Sequence, residues 1–168
     1  MPIAAAARHT DWIGCIDFGT ALSKVAVVKA VARDDLTQDC IRPLPVGLRE
    51  GFQPRSPFLC PSIVFIHDDR TVFGLEAEAD ARRGQIRGRQ AFASLKQHLS
   101  THSLDELDDP LPEEIDPTGR FTPRAALMLY LAHLLERAGA VAPLTKAPWP
   151  VPIRIARPAW DPNRAAAG

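Results

Sequence analysis

Two β-prone runs with a short polar turn between them, and one carboxylate set into the end of the first run, constrain this chain more than any other feature. The stretch reads Ile13-Gly14-Cys15-Ile16-Asp17-Phe18-Gly19-Thr20-Ala21-Leu22-Ser23-Lys24-Val25-Ala26-Val27-Val28. Its β-branched residues predict strands over residues 12–17 and 24–31, joined by a hairpin turn over residues 18–23. A bare Asp inside a buried strand is costly unless a cation or a hydrogen-bond donor meets it. The Gly19-Thr20 pair beside Asp17 can aim several backbone N–H groups at one point, which suits an anion. A carboxylate at a strand end next to such a turn points to a metal-bound nucleotide as the class of ligand.

Bulk composition narrows the alternatives. A chain of 168 residues is long enough for one compact domain. Its 20 basic and 20 acidic residues cancel, so no global field favours nucleic acid or an anionic membrane, and neither is expected as a partner. Cys15, Cys40 and Cys60 form no CxxC pair. They read as structural thiols of a reducing cytosol, and the expected location is cytoplasmic. Residues 12–28, taken as the longest apolar stretch, contain Asp17, Ser23 and Lys24 and cannot serve as a span of about 20 apolar residues. Residues 1–11 read as a frayed leader with an alanine run but no secretory core.

Beyond the hairpin, residues 40–42 read as a short third strand and residues 43–61 as a Pro-rich loop. Strands are expected at residues 62–67 and 71–73, and helices at residues 75–83 and 90–100. Residues 101–118 carry seven acidic residues and three prolines, and read as a solvated loop. Thr122 is a candidate N-cap and Pro123 the first residue of the clearest helix, with Gly139 closing it. Residues 151–156 read as a final strand, and residues 161–167 as the start of another helix. The whole is α/β with a mixed sheet and flanking helices. His67, His98, His102 and His133 share no ligand spacing, so no metal site is expected of them. Arg82-Arg83 and Arg87-Gly88-Arg89 read as a solvated basic face, and Trp149 and Trp160 as packing residues. Ser23 has no His and third partner for a hydrolase triad.

Several separate segments share one resemblance. Asp17-x-Gly19-Thr20-x-x-Ser23 resembles the first phosphate motif of the actin-like ATPase superfamily. Within it, the chain looks most like the nucleotide-binding domain of the heat shock protein 70 chaperones. Pro61-Ser62-Ile63-Val64-Phe65 and Val72-Phe73-Gly74-Leu75-Glu76-Ala77 are similar to that family's strand pair and following helix. Ala93-Ser94-Leu95-Lys96 resembles the helix that carries a catalytic lysine, and residues 123–138 the long helix after it. Ile155-Ala156-Arg157-Pro158-Ala159-Trp160 resembles the strand and proline turn that end the first lobe's core. Ala21 stands where the family has a second hydroxyl residue, Leu22 where an aromatic is common, and the spacing from Pro158 to Arg164 is shorter than the family's.

The resemblance implies an incomplete first lobe of the actin-like, ribonuclease H-like fold over residues 12–168, with residues 40–120 as a peripheral subdomain. It implies ATP or ADP and magnesium as ligands, and a chaperone ATPase of the stress response as the full-length activity. Asp17 would face magnesium through water. Gly19, Thr20, Ala21 and Ser23 would hold the phosphates, Lys96 would act in hydrolysis, and Pro158 would couple nucleotide to chaperone. A missing second lobe, unfolded peptide clients and co-chaperones are the implied partners. Alternatives are a non-catalytic pseudo-ATPase scaffold, a sugar kinase or a filament protein.

Overall fold

The computed structural model describes residues 11–84, 88–101, 103 and 105–156, apart from the side chains of Arg33 and Ser100. Strand β1 (Trp12–Asp17) and strand β2 (Leu22–Lys29) form the expected hairpin, paired from Trp12↔Lys29 to Asp17↔Lys24. Period-two alternation decides which side chains enter the core. Ile16, Val25 and Val27 are buried on one face. Cys15, Asp17, Lys24 and Ala26 lie on the other, which stays open. Strand β3 (Ile41–Leu44) runs antiparallel to β2. Strand β4 (Cys60–Pro61) pairs with the start of β2 at Leu22 and Ser23.

A second sheet has β5 (Ile63–Ile66) between β6 (Thr71–Phe73) and β7 (Phe92–Ala93), both antiparallel to it. Helix α1 (Gly74–Gly84) follows β6 directly, and helix α2 (Leu95–Thr101) follows β7. Helix α3 (Pro123–Val141) then leads to β8 (Ile153–Ile155), which lies parallel to β1. The first sheet therefore reads β3-β2-β1-β8. The molecule is a mixed α/β fold with two sheets, as the sequence implied at that level.

Helix α3 begins where its sequence says. The Thr122 hydroxyl accepts the Ala125 N–H at 3.2 Å, and Pro123 occupies the first turn, where its missing N–H costs nothing. Ala126, Tyr130, Leu134 and Ala138 recur every four residues and make one buried stripe. That stripe meets Ile16 and Val25 of the first sheet and Val64 and Phe92 of the second, so both sheets share one core. Met128, Leu129 and, just past the helix, Leu144 stay exposed. Residues Pro123–Thr145 are long and apolar enough to cross a membrane by length and composition, which corrects the choice of residues 12–28 as the longest apolar stretch. The same helix supplies Tyr130 and Leu134 to the centre of the core.

Other expectations need correction. β2 starts at Leu22, two residues early, because β4 pairs with that end. β3 runs through Pro43, which the expected loop included; at the edge of the sheet a proline need not donate to a further strand. The helix expected over residues 90–100 is split, since Phe92 pairs with Val64 as a strand and Ser94 takes a positive φ of 55° before α2 begins. The acidic loop is anchored rather than solvated throughout. Leu107 and Leu111 are buried, and the buried Asp116 carboxylate accepts the Thr118 hydroxyl at 2.6 Å and the Phe121 N–H at 2.7 Å. Gly139 does not close α3. It lies inside the helix, where an added Cβ would come within 2.8 Å of Trp149 Nε1, so its role is to admit the indole. Expectations for residues 1–10, and for Arg157, Pro158, Trp160 and residues 161–167, lie outside the described residues.

One half-buried group is expected to make the fold sensitive to pH. His133 on α3 stacks on Phe73 with ring centroids 4.9 Å apart. Burial, then the charges of Arg137 and Arg49, push its pKa down from 6.5 to about 4. Between those values the unfolded chain binds the proton and the folded chain does not, so stability falls as pH drops through that window. The expected loss is about 2 kcal/mol after discounting for partial exposure. Urea titrations of wild type and His133→Gln should therefore diverge between neutral pH and pH 4, with the variant changing less. Parallel curves would remove His133 as the cause.

Candidate functional site

The hairpin turn is built around one close approach. A Cβ on Gly19 would collide with the Leu22 carbonyl oxygen, so only glycine lets the turn fold back this tightly. Among the described residues, the N–H groups of Phe18, Gly19, Thr20 and Ala21 donate to no protein acceptor. Four consecutive main-chain donors in one turn create positive potential suited to an anion. The turn is tied down from beneath. The Phe18 ring is buried against Tyr130, with centroids 6.0 Å apart, and the Ala21 carbonyl accepts the Ser62 N–H at 2.8 Å.

Asp17 stands at the rim, with its side chain 62% exposed. Its carboxylate is 3.8 Å from Lys24 Nζ, a separation that leaves the oxygens free to meet water or a cation. It opens onto a groove of about 400 Å³ that also has Cys15, Lys24, Arg154, Ile155 and Ala156 in its walls. The Ala156 N–H donates to the Ile16 carbonyl at 2.9 Å. The carboxyl ends of the parallel strands β1 and β8 therefore come out together beside the turn. Ligands of open α/β sheets bind at such ends.

The other expected residues divide. Thr20 and Ala21 are exposed on the turn. Ser23 is not with them. Strand alternation turns it inward, where it is 0% exposed and shares a 2.8 Å hydrogen bond with the Ser62 hydroxyl. It supports the turn from inside and has no surface to offer a phosphate. Lys96 lies in the first turn of α2 and is half-buried. Ala93, three residues before it, pairs with Ile63 next to Ser62, which holds Ala21. Topology thus brings the start of α2 about two strand spacings from the hairpin, although Lys96 is not in the wall of the Asp17 groove. Pro158 lies outside the described residues.

The sequence did not disclose the polar cluster under the site. Tyr130 OH donates to the Cys60 carbonyl at 3.4 Å, close to the Ser23–Ser62 pair. Burial, and then Cys60, push the Tyr130 phenol above its usual range, while the Ser23 and Ser62 hydroxyls act in the other direction. Burial likewise pushes the Cys60 thiol up to about 11, so it is an inert thiol. Cys15, Cys40 and Cys60 are all unpaired. Among the described residues no group of His, Cys, Asp and Glu could by itself enclose a metal.

No family model matches the chain, and no curated protein matches it.

Proposed function

We propose that this chain is the first lobe of an actin-like ATPase of the heat-shock-70 type, and that its hairpin turn holds the phosphates of Mg-ATP. One observation carries the reading. Four consecutive main-chain N–H groups with no acceptor among the described residues stand beside an exposed carboxylate where two parallel strands end. The N–H groups of Gly19, Thr20 and Ala21 would bind phosphate oxygens, with the Thr20 hydroxyl adding a donor. Asp17 fits magnesium, which keeps most of its waters and recruits few carboxylates, so a single exposed Asp at the rim is enough to hold it through water. The bound ion would supply charge neutralisation of the phosphates. Lys96 would bring an ammonium from α2 toward the terminal phosphate, where a fixed positive charge favours transfer to water. The full-length cycle, with lobe rotation, peptide clients, co-chaperones and a cytoplasmic setting, is part of the same proposal.

Titration calorimetry with Mg-ATP tests it. Binding weaker than micromolar is expected, because the phosphates would be held by the turn alone. It should require magnesium, and Asp17→Asn should weaken it about tenfold, the effect of one charge-assisted contact. Micromolar or tighter binding, or binding indifferent to both magnesium and Asp17, would contradict the proposal. The Lys24 ammonium beside Asp17 favours a second reading, a scaffold lobe without turnover; in that case magnesium adds nothing to nucleotide binding.

A further inference from the structure

A different cavity, on the β5–β6–α1 side of the molecule, has its own chemistry. It is an open cavity of about 610 Å³, room for a small organic ligand. Three guanidiniums line it, from Arg70, Arg83 and Arg89, together with His67 and the carboxylates of Asp68 and Asp80. Asp80 is nearly buried and is already engaged, by His67 Nε2 at 2.8 Å, Arg83 at 2.9 Å and Arg70 at 3.9 Å. Asp68 is exposed and lies 3.7 Å from Arg89. Three guanidiniums therefore face two carboxylates in this cavity.

Arg89 is the distinctive member. Its side chain is only 25% exposed. Its guanidinium lies over the Phe65 ring, 5.6 Å from the centroid, and one terminal nitrogen donates to the Ile66 carbonyl. Its Nε–H is buried with no acceptor, the only such side-chain polar atom among the described residues. A buried donor left unmet is costly and rare. A guanidinium held over an aromatic ring, with unmet hydrogen-bonding capacity and two further arginines at the same cavity, is suited to a tetrahedral oxyanion.

We propose that this cavity is a binding site for a phosphate group, either free or carried by a small molecule. The site is separate from the hairpin and needs no magnesium. Arg89 would be the fixed anchor, and Arg70 and Arg83 would close over the remaining oxygens. The part-exposed His67 ring, edge-on to Phe65 at 4.9 Å, would flank whatever carries the phosphate.

The test is proton–nitrogen NMR of the whole chain in magnesium-free buffer, titrated with inorganic phosphate, phenyl phosphate or acetate. Phosphate should shift the Arg89 Nε–H resonance and the Gly84 amide in a saturable way, and acetate at equal ionic strength should not. Tighter binding of phenyl phosphate would identify a phosphorylated small molecule as the ligand, and equal binding would identify the free ion; either outcome supports the site. Arg83 is 75% exposed and is held by Asp80 and the Ala79 carbonyl, so Arg83→Ala should fold and keep a dispersed spectrum. It should bind about tenfold more weakly for the charged contact removed. An unmoved Arg89 resonance, equal shifts with acetate, or full affinity in Arg83→Ala would overturn the proposal.

Discussion

Tyr130→Ala is expected to lower the stability of this domain by about 3–5 kcal/mol, as removal of a fully buried aromatic does. That is a large share of the roughly 5–15 kcal/mol by which native domains are stable. Among the described residues Tyr130 is the largest fully buried side chain. Its ring packs beside Phe18 under the hairpin turn, and its hydroxyl reaches the Cys60 carbonyl at the end of β4. One residue of α3 thus supports the base of the turn and the strand that braces β2. Tyr130→Phe should cost only about 1 kcal/mol, the net worth of one hydrogen bond, because Ser23 and Ser62 still satisfy each other at 2.8 Å. Urea denaturation of the three proteins checks this. The midpoints should fall steeply for alanine and slightly for phenylalanine, at constant slope. Equal losses in the two variants would show that the hydroxyl, and not the packed ring, holds the structure.

Gly19→Ala is expected to have the second largest effect, on stability and on binding together. The atom in the way of the new methyl is the Leu22 carbonyl oxygen, which belongs to main chain and cannot rotate aside. Leu22 pairs with Pro61, and the neighbouring Ala21 carbonyl holds the Ser62 N–H. Opening the turn therefore strains the contact with β4. A cost of about 1–3 kcal/mol is expected, the range for a forced backbone shift. Nucleotide binding should weaken by about tenfold or more, since the turn that carries the four N–H groups is forced open. Thr20→Ala, on the exposed tip, should leave stability within about 0.5 kcal/mol of wild type. If Gly19→Ala melts and binds like wild type, the tightness of the turn has no function.

Local pattern made the hairpin legible, because β-branched alternation on both sides of Gly19-Thr20 leaves few other solutions. Trp12–Asp17 was placed to the residue, and α3 was placed at its N-terminus by Thr122 and Pro123. Distant partners hid the rest. Pro43 looks like a strand breaker until β3 is known to lie at a sheet edge. Phe92 fits a helical stripe and is drawn into a strand by Val64. Gly139 looks like a helix stop until Trp149 is seen packed against it. Asp17, Gly19 and Thr20 fall together in sequence and in space because one turn holds them all. Ser23 was assigned to the ligand by motif alone, and the strand's alternation put it in the core. Arg82-Arg83 and Arg87-Gly88-Arg89 read as a solvated face, but Arg89 is only 25% exposed and lines the cavity with Arg83, while Arg87 lies outside the described residues. Only the fold brings Arg83 and Arg89 to His67 and Asp80.

The most direct test of the central claim is to map where Mg-ATP touches the chain, by following backbone amide resonances through a titration. The expected result is that Phe18, Gly19, Thr20 and Ala21 shift together and saturate, that chelating the magnesium with EDTA weakens the effect, and that Asp17→Asn does the same. Shifts that cluster elsewhere while these four amides stay still would contradict the account, as would no shift at millimolar nucleotide.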